Sequence, residues 1–121
     1  MNLEKEVKNI REEINLKKII GDLLVLSGRP NGEIVRKKLN ISQKDADEKK
    51  YNIVIPYEVR TINPSYFLGI FSESIKNLKL EKFKEKYNFI SSNDDGKLKN
   101  GIEEDIKEGI EWALDESKLL K

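Results

Sequence analysis

YNIVIPYEVRTINPSYFLGIFSESIKNL, from Tyr51 to Leu78, reads as a buried strand, a turn and the opening of an amphipathic helix. The rest of the chain can be placed around it. Ile53, Val54 and Ile55 form a short β-branched run that tolerates apolar contact on both faces, as an interior strand does. Beyond Pro56 the chain turns polar, and Ile62, Phe67, Phe71 and Ile75, with Leu68 and Leu78 beside them, then recur at helical spacing. Pro64 suits the first helical position, where its missing N–H costs nothing, and Asn63 before it is a favourable N-cap.

Composition narrows the chemistry. A chain of 121 residues holds one domain with a real core, and its apolar content is high enough for collapse. Lys+Arg 23 against Asp+Glu 22 leaves a net charge of +1, so no overall field draws the protein to nucleic acid or an anionic membrane. Cysteine and histidine are both absent. Their absence removes thiol nucleophiles, disulfides, Cys/His zinc sites, Ser-His-Asp triads and the commonest general base at neutral pH. No apolar run has membrane-spanning length, and MNLEKEVKNIREEI at the N-terminus is charged where a signal peptide is apolar. A cytoplasmic protein with no metal or cofactor is expected.

Working outward, Leu3, Val7, Ile10 and Ile14 at spacings of three and four make residues 1–13 an N-terminal helical extension. INLKKIIGDLLVLS, Ile14 to Ser27, reads as two short strands joined by a turn at Gly21-Asp22, with a continued helix as the rival. Gly28-Arg29-Pro30-Asn31-Gly32 has loop composition, a helix is expected over Glu33–Leu39, and Asn40–Lys50 reads as a charged surface connection. Leu80–Glu85 is expected to be a short helix or turn packed by Phe83, and Tyr87–Ser91 a last strand. Ser91-Ser92-Asn93-Asp94-Asp95 then caps a final helix over Asp95–Glu116, striped by Leu98, Ile102, Ile106, Ile110 and Leu114. Residues 14–116 thus form one α/β domain, a small sheet with an N-terminal hairpin, layered with helices and closed by a long C-terminal amphipathic helix, followed by a tail at 117–121.

INLKKIIGDLLVLSGRPNGEIVRKKL, YNIVIPYEVRTINPSYFLGIFSESI and KFKEKYNFISSNDDGKLKNGIEEDIKEGIEWAL, taken in order, resemble the STAS-like domain family of uncharacterised bacterial proteins. Gly21 and Gly32 fit its hairpin turn and its glycine-containing loop, and Ser65-Tyr66-Phe67-Leu68 fits the Ser-x-Phe-Leu that opens its helix. The chain departs from the family at the end of the central strand, where Pro56-Tyr57 stands in place of Asp-Phe. The resemblance implies a partner-binding regulatory module, often set beside an ATP-binding kinase-like protein, rather than a catalyst. In the related anti-sigma-factor antagonists a modified Ser follows an Asp at the helix N-terminus; the likeness carries phosphorylation over to Ser65, without that Asp.

Each candidate has a plainer account beside it. Ser65 either helps satisfy a free N–H of the first turn or is presented to a partner there. Ser27–Gly32 is either a plain turn or a phosphate cradle with Arg29 as its cation, though it lacks a P-loop ending. Asn93-Asp94-Asp95-Gly96 suits capping better than calcium, because no Glu completes an EF-hand loop. Lys76–Lys86 is interrupted by Glu81 and Glu85 and reads as a solvated face. Trp112 reads as packing at the core or its edge. The expected function is non-enzymatic contact with a partner protein through Arg29, Pro30, Thr61, Asn63, Pro64, Ser65 and Tyr66, with Tyr66 supplying apolar contact. The alternatives are a small carboxylate/Lys enzyme, for example one using Asp94 and Glu104, a nucleic-acid binder, and a phage or mobile-element protein acting on a defence enzyme. Apolar residues at both chain ends also leave room for a homo-oligomer.

Overall fold

Between residues 10 and 119, which the computed structural model describes, the chain runs in order through β1 (Glu12–Asn15), α1 (Lys17–Ile20), β2 (Val25–Leu26), α2 (Arg29–Lys38), α3 (Ile41–Ala46), β3 (Tyr51–Ile55), β4 (Thr61–Ile62), α4 (Pro64–Lys86), β5 (Tyr87–Ser91) and α5 (Asn100–Leu119). β3 is the middle strand of a parallel sheet ordered β1-β3-β5, as its β-branched run requires. A second parallel ribbon pairs β2 with β4. Parallel neighbours need long crossovers, and here α1 to α3 lie between β1 and β3 while α4 lies between β3 and β5.

The register puts Ile14, Ile53 and Phe89 in one row, with Tyr51 and Tyr87 on the same face of the sheet. α4 packs against that face: Phe71 lies 5.5 Å from the rings of both Tyr87 and Phe89, and Phe67 lies 6.0 Å from Phe89. Phe67, Phe71 and Phe83 are buried, and each contributes about 2–3 kcal/mol by leaving water. α2 and α5 both pack on α4, and Ile102, Ile106 and Ala113 bring α5 into the same core. The opposite sheet face carries Glu13, Asn52 and Asn88 in one row, exposed or half-buried, with Asn88 Nδ2 donating to Asn52 Oδ1 at 3.0 Å.

Several boundaries differ from the sequence expectation. Ile14–Ser27 is not a hairpin: a single helical turn, α1, separates β1 from β2, which belong to different sheets. Leu16 N–H donates to Val54 O at 3.1 Å, so the chain stays paired with β3 up to the start of α1 and does not turn back on β1. Glu12 and Glu13, read as the end of an N-terminal helix, belong to β1, and residues 1–9 of that extension lie outside those described. α2 begins at Arg29 rather than Glu33, because Pro30 falls in its first turn, where proline is tolerated. Gly28, at φ 88, sets the entry to that helix. α3 occupies part of the expected Asn40–Lys50 connection, with Ile41 fully buried. α5 starts at Asn100, after the turn closed by Ser91 N–H to Gly96 O at 3.0 Å.

Candidate functional site

The Asn63–Ser65 junction forms as its residue types dictate. Asn63 is the N-cap of α4, in extended conformation, and its Oδ1 accepts from Ser65 N–H at 2.9 Å. That bond satisfies one of the orphan amides of the first turn. Two further bonds fix the approach to the helix: Asn63 N–H donates to Leu26 O at 2.8 Å, and Ile62 N–H donates to Asp105 Oδ2 at 2.8 Å. β4 is therefore held between β2 on one side and α5 on the other. Thr61 and Asn63 are exposed, and Pro64 and Ser65 are half-buried, so the junction is open to solvent.

Two residues expected at this surface do other work. Tyr66 is only 3% exposed, and burial pushes its phenol above the usual range. It turns inward because it begins the apolar face of α4, and Phe67 and Leu68 follow it into the core. Arg29 donates Nη1 and Nη2 to the two carboxylate oxygens of Glu116, each at 2.8 Å, and Nη2 also reaches Ser72 Oγ at 3.2 Å. The hydrogen bonds from Glu116 raise the guanidinium further above its ordinary value, and Arg29 in turn holds Glu116 below its own. This fork ties the start of α2 to the end of α5 across α4. The Ser27–Gly32 turn likewise closes on itself, with Asn31 Nδ2 donating to Ser27 O at 2.9 Å and Gly32 N–H to Gly28 O at 3.2 Å. Pro30 stands exposed beside it.

The apolar surface near the junction comes instead from the stretch expected as a hairpin and from the helix that follows it. Leu23, Val25 and Ile34 are 57%, 55% and 50% exposed and line a groove of about 350 Å³ bounded by α1, β2 and α2, with Tyr66 among its lining residues. Val25 stands in register with the exposed Thr61, so the groove borders the Thr61–Ser65 junction across the β2–β4 ribbon. A usable signal was present. Leu23-Leu24-Val25-Leu26 is four apolar residues in a row, whereas a two-residue ribbon strand at this edge buries only Leu26. Ile34 and Val35 are adjacent on a helix, and only Val35 faces the core.

Other charged groups are occupied within the fold. Asp45 accepts from Arg36 Nη2 at 3.0 Å, Ser74 Oγ at 2.7 Å and Tyr87 Oη at 2.7 Å. Lys86, which ends α4 almost fully buried, donates to Asp47 Oδ1 at 2.8 Å and to the carbonyls of Asp47 and Lys49. Tyr51 Oη donates to the other Asp47 oxygen. Burial works to raise the Asp47 carboxyl, but the hydrogen bonds from Lys86, Tyr51 and Lys49 together hold it below its ordinary value. Among the described residues no buried side-chain nitrogen or oxygen lacks a partner, so these networks hold the fold. Asp94 is exposed in the connection after β5, whereas Glu104 is exposed on α5, 3.7 Å from Lys107. In the Asn93–Gly96 turn Asp95 Oδ1 accepts from Lys97 N–H at 2.9 Å, closing an Asx-type turn instead of capping α5, which starts only at Asn100. Trp112 is 47% exposed rather than packed. Among the described residues no helix is long and apolar enough to cross a membrane.

The chain matches no family model, no curated protein and no solved structure.

Proposed function

We propose that this chain is a non-enzymatic regulatory module of the STAS-like type that acts by contact with a partner protein. The observation that carries the reading is the groove lined by Leu23, Val25 and Ile34, three side chains half or more exposed, beside the open junction at Thr61 to Ser65. Clustered exposed apolar side chains with a polar rim are the usual mark of a protein-binding surface. Ile34 and Val25 supply the contact area first assigned to Tyr66, while Thr61, Asn63 and Pro30 form the rim. Ser65 sits in the first turn of α4, where added negative charge is favoured by the helix field and would alter the rim without disturbing the core. The family resemblance points to an ATP-binding kinase-like protein or a defence-system protein as the partner, within the cytoplasm.

The test is capture from the native host by the tagged chain, the Ile34→Asp and Val25→Asp variants and Ser65→Asp, with captured proteins identified by mass spectrometry. A partner retained by the parent chain, lost with either groove variant and altered by Ser65→Asp supports the reading, provided thermal melts of the variants match the parent. Identical capture by all four chains removes it.

A further inference from the structure

β5 is an edge strand of the three-stranded sheet, and its outer side faces a groove. The direction of its backbone groups follows from one bond. Ser92 N–H donates to Ile55 O of β3 at 2.9 Å, and alternation along the strand therefore turns the Ile90 and Asn88 amides inward and the Ser91 and Phe89 amides outward. Ser91 N–H is taken by Gly96 O at 3.0 Å, and the outward Tyr87 N–H by Phe83 O. Phe89 is left presenting its N–H and C=O to the open side of the sheet.

That open side is roofed. The groove, about 660 Å³, runs between β5 and the first half of α5, with Phe83, Phe89, Leu98, Ile106 and Ile110 along it. Leu98, before α5, and Ile106 and Ile110 of α5 thus line the groove opposite β5, with Ile106 also buried in the core. Lys84, Lys97 and Lys107 line the groove against a single carboxylate, Glu103. Lys107 is shared at 3.7 Å with Glu103 and Glu104, whereas Lys84 and Lys97 are exposed at the mouth.

We propose that this groove receives an extended acidic peptide segment of a partner protein, which adds as a fourth strand beside β5. Its backbone pairs with Phe89, its apolar side chains enter beneath Leu98, Ile106 and Ile110, and its carboxylates meet Lys84 and Lys97. Main-chain pairing of this kind supplies affinity, and alternate side chains supply selectivity. The site shares no residue with the groove at Leu23, Val25 and Ile34.

The experiment uses the full chain and a pool of fluorescent peptides of about eight residues, alternating Glu with varied apolar residues. Two further pools replace each Glu by Lys, or methylate the backbone nitrogens along both edges. Fluorescence anisotropy is expected to show saturable binding of the acidic pool, at least tenfold tighter than the Lys pool, weakening as salt rises and abolished by N-methylation. The Phe89 amide is expected to become protected from hydrogen exchange only with the acidic peptide. Lys84→Glu with Lys97→Glu, both exposed changes, is expected to lower affinity at least tenfold. No binding of the acidic pool, binding that survives N-methylation of both edges, or no protection at Phe89 overturns the proposal.

Discussion

Gly32 of α2 and Gly69 of α4 face one another at a backbone-to-backbone crossing. A Cβ placed on Gly32 would stand 2.1 Å from Tyr66 O and 3.0 Å from Gly69 Cα, and one on Gly69 would stand 2.3 Å from Arg29 O. The obstructing atoms are main chain, which cannot turn aside as a side chain can. On propensity alone, Gly69→Ala would stabilise α4 by about 1 kcal/mol. The contact reverses the sign. Gly69→Ala and Gly32→Ala are each expected to destabilise by about 3 kcal/mol, at the upper end of overpacking costs, in urea unfolding. Gly101→Ala, where a Cβ meets nothing within 4 Å, is the control and is expected to be neutral or stabilising.

Asp45 tests whether the polar network beneath α3 holds the fold. Its side chain is 8% exposed and that of Arg36 is 11% exposed. Asp45→Ala leaves the guanidinium with Ile70 O, at 2.7 Å, the Ser74 and Ser42 hydroxyls, and only the exposed Glu73 carboxylate at 3.8 Å as counter-charge. The expected loss is about 3–5 kcal/mol. Tyr87→Phe removes one of three donors to Asp45 and is expected to cost about 1 kcal/mol. A loss for Asp45→Ala no larger than that for Tyr87→Phe would refute the account.

How far these features could be read from the residues depends on the range of the forces that set them. The interior strand at Ile53–Ile55 and the capped start of α4 at Asn63-Pro64 were legible, because hydrophobic patterning and capping act over a few residues. The strand at Tyr87–Ser91 and the closing helix were legible for the same reason. The supposed hairpin at Ile14–Ser27 was not, since apolar runs around Gly21 suit a helical turn equally well and only the long-range pairing of Val25 with Thr61 decides the outcome. At the site, the open junction was legible from local capping. The fates of Arg29 and Tyr66 were not, because one depends on Glu116 at the far end of the chain and the other on which face of α4 meets the sheet.

Lys79 holds a conformation that only glycine adopts freely, with φ 69 and ψ 164, between the two helical stretches of α4. Its side chain is exposed, so no contact compensates for the backbone strain. Lys79→Gly is expected to stabilise the protein by about 1 kcal/mol, raising the melting temperature by several degrees, whereas Lys79→Ala should change little. A lower melting temperature for Lys79→Gly than for Lys79→Ala would show that the break in α4 is not strained.

The pH dependence of stability has an acid and an alkaline limb of different origin. Arg29 holds Glu116 below its ordinary value of 4.5, and the Lys86 and Tyr51 hydrogen bonds hold Asp47 below its ordinary 3.8 despite partial burial. A carboxyl lowered by folding adds stability above its unfolded pKa, and that stability is lost as pH falls through the folded value. Unfolding free energy is therefore expected to be level near neutrality and to fall below about pH 4.5. Glu116→Gln should remove the early part of that fall. Because the Arg29–Glu116 pair is partly exposed, the substitution should cost no more than about 1 kcal/mol at pH 7. Tyr87 and Tyr51 shift the other way, pushed above their ordinary 10.0 first by burial and then by the hydrogen bonds to Asp45 and Asp47. A raised group contributes stability below its unfolded pKa and loses it as pH rises toward the folded value, so the alkaline limb begins above about pH 10. Phenolate absorbance should then rise together with loss of helix for these two rings. Ionisation of Tyr87 in a chain that retains its full helix signal would contradict the buried hydrogen bond to Asp45.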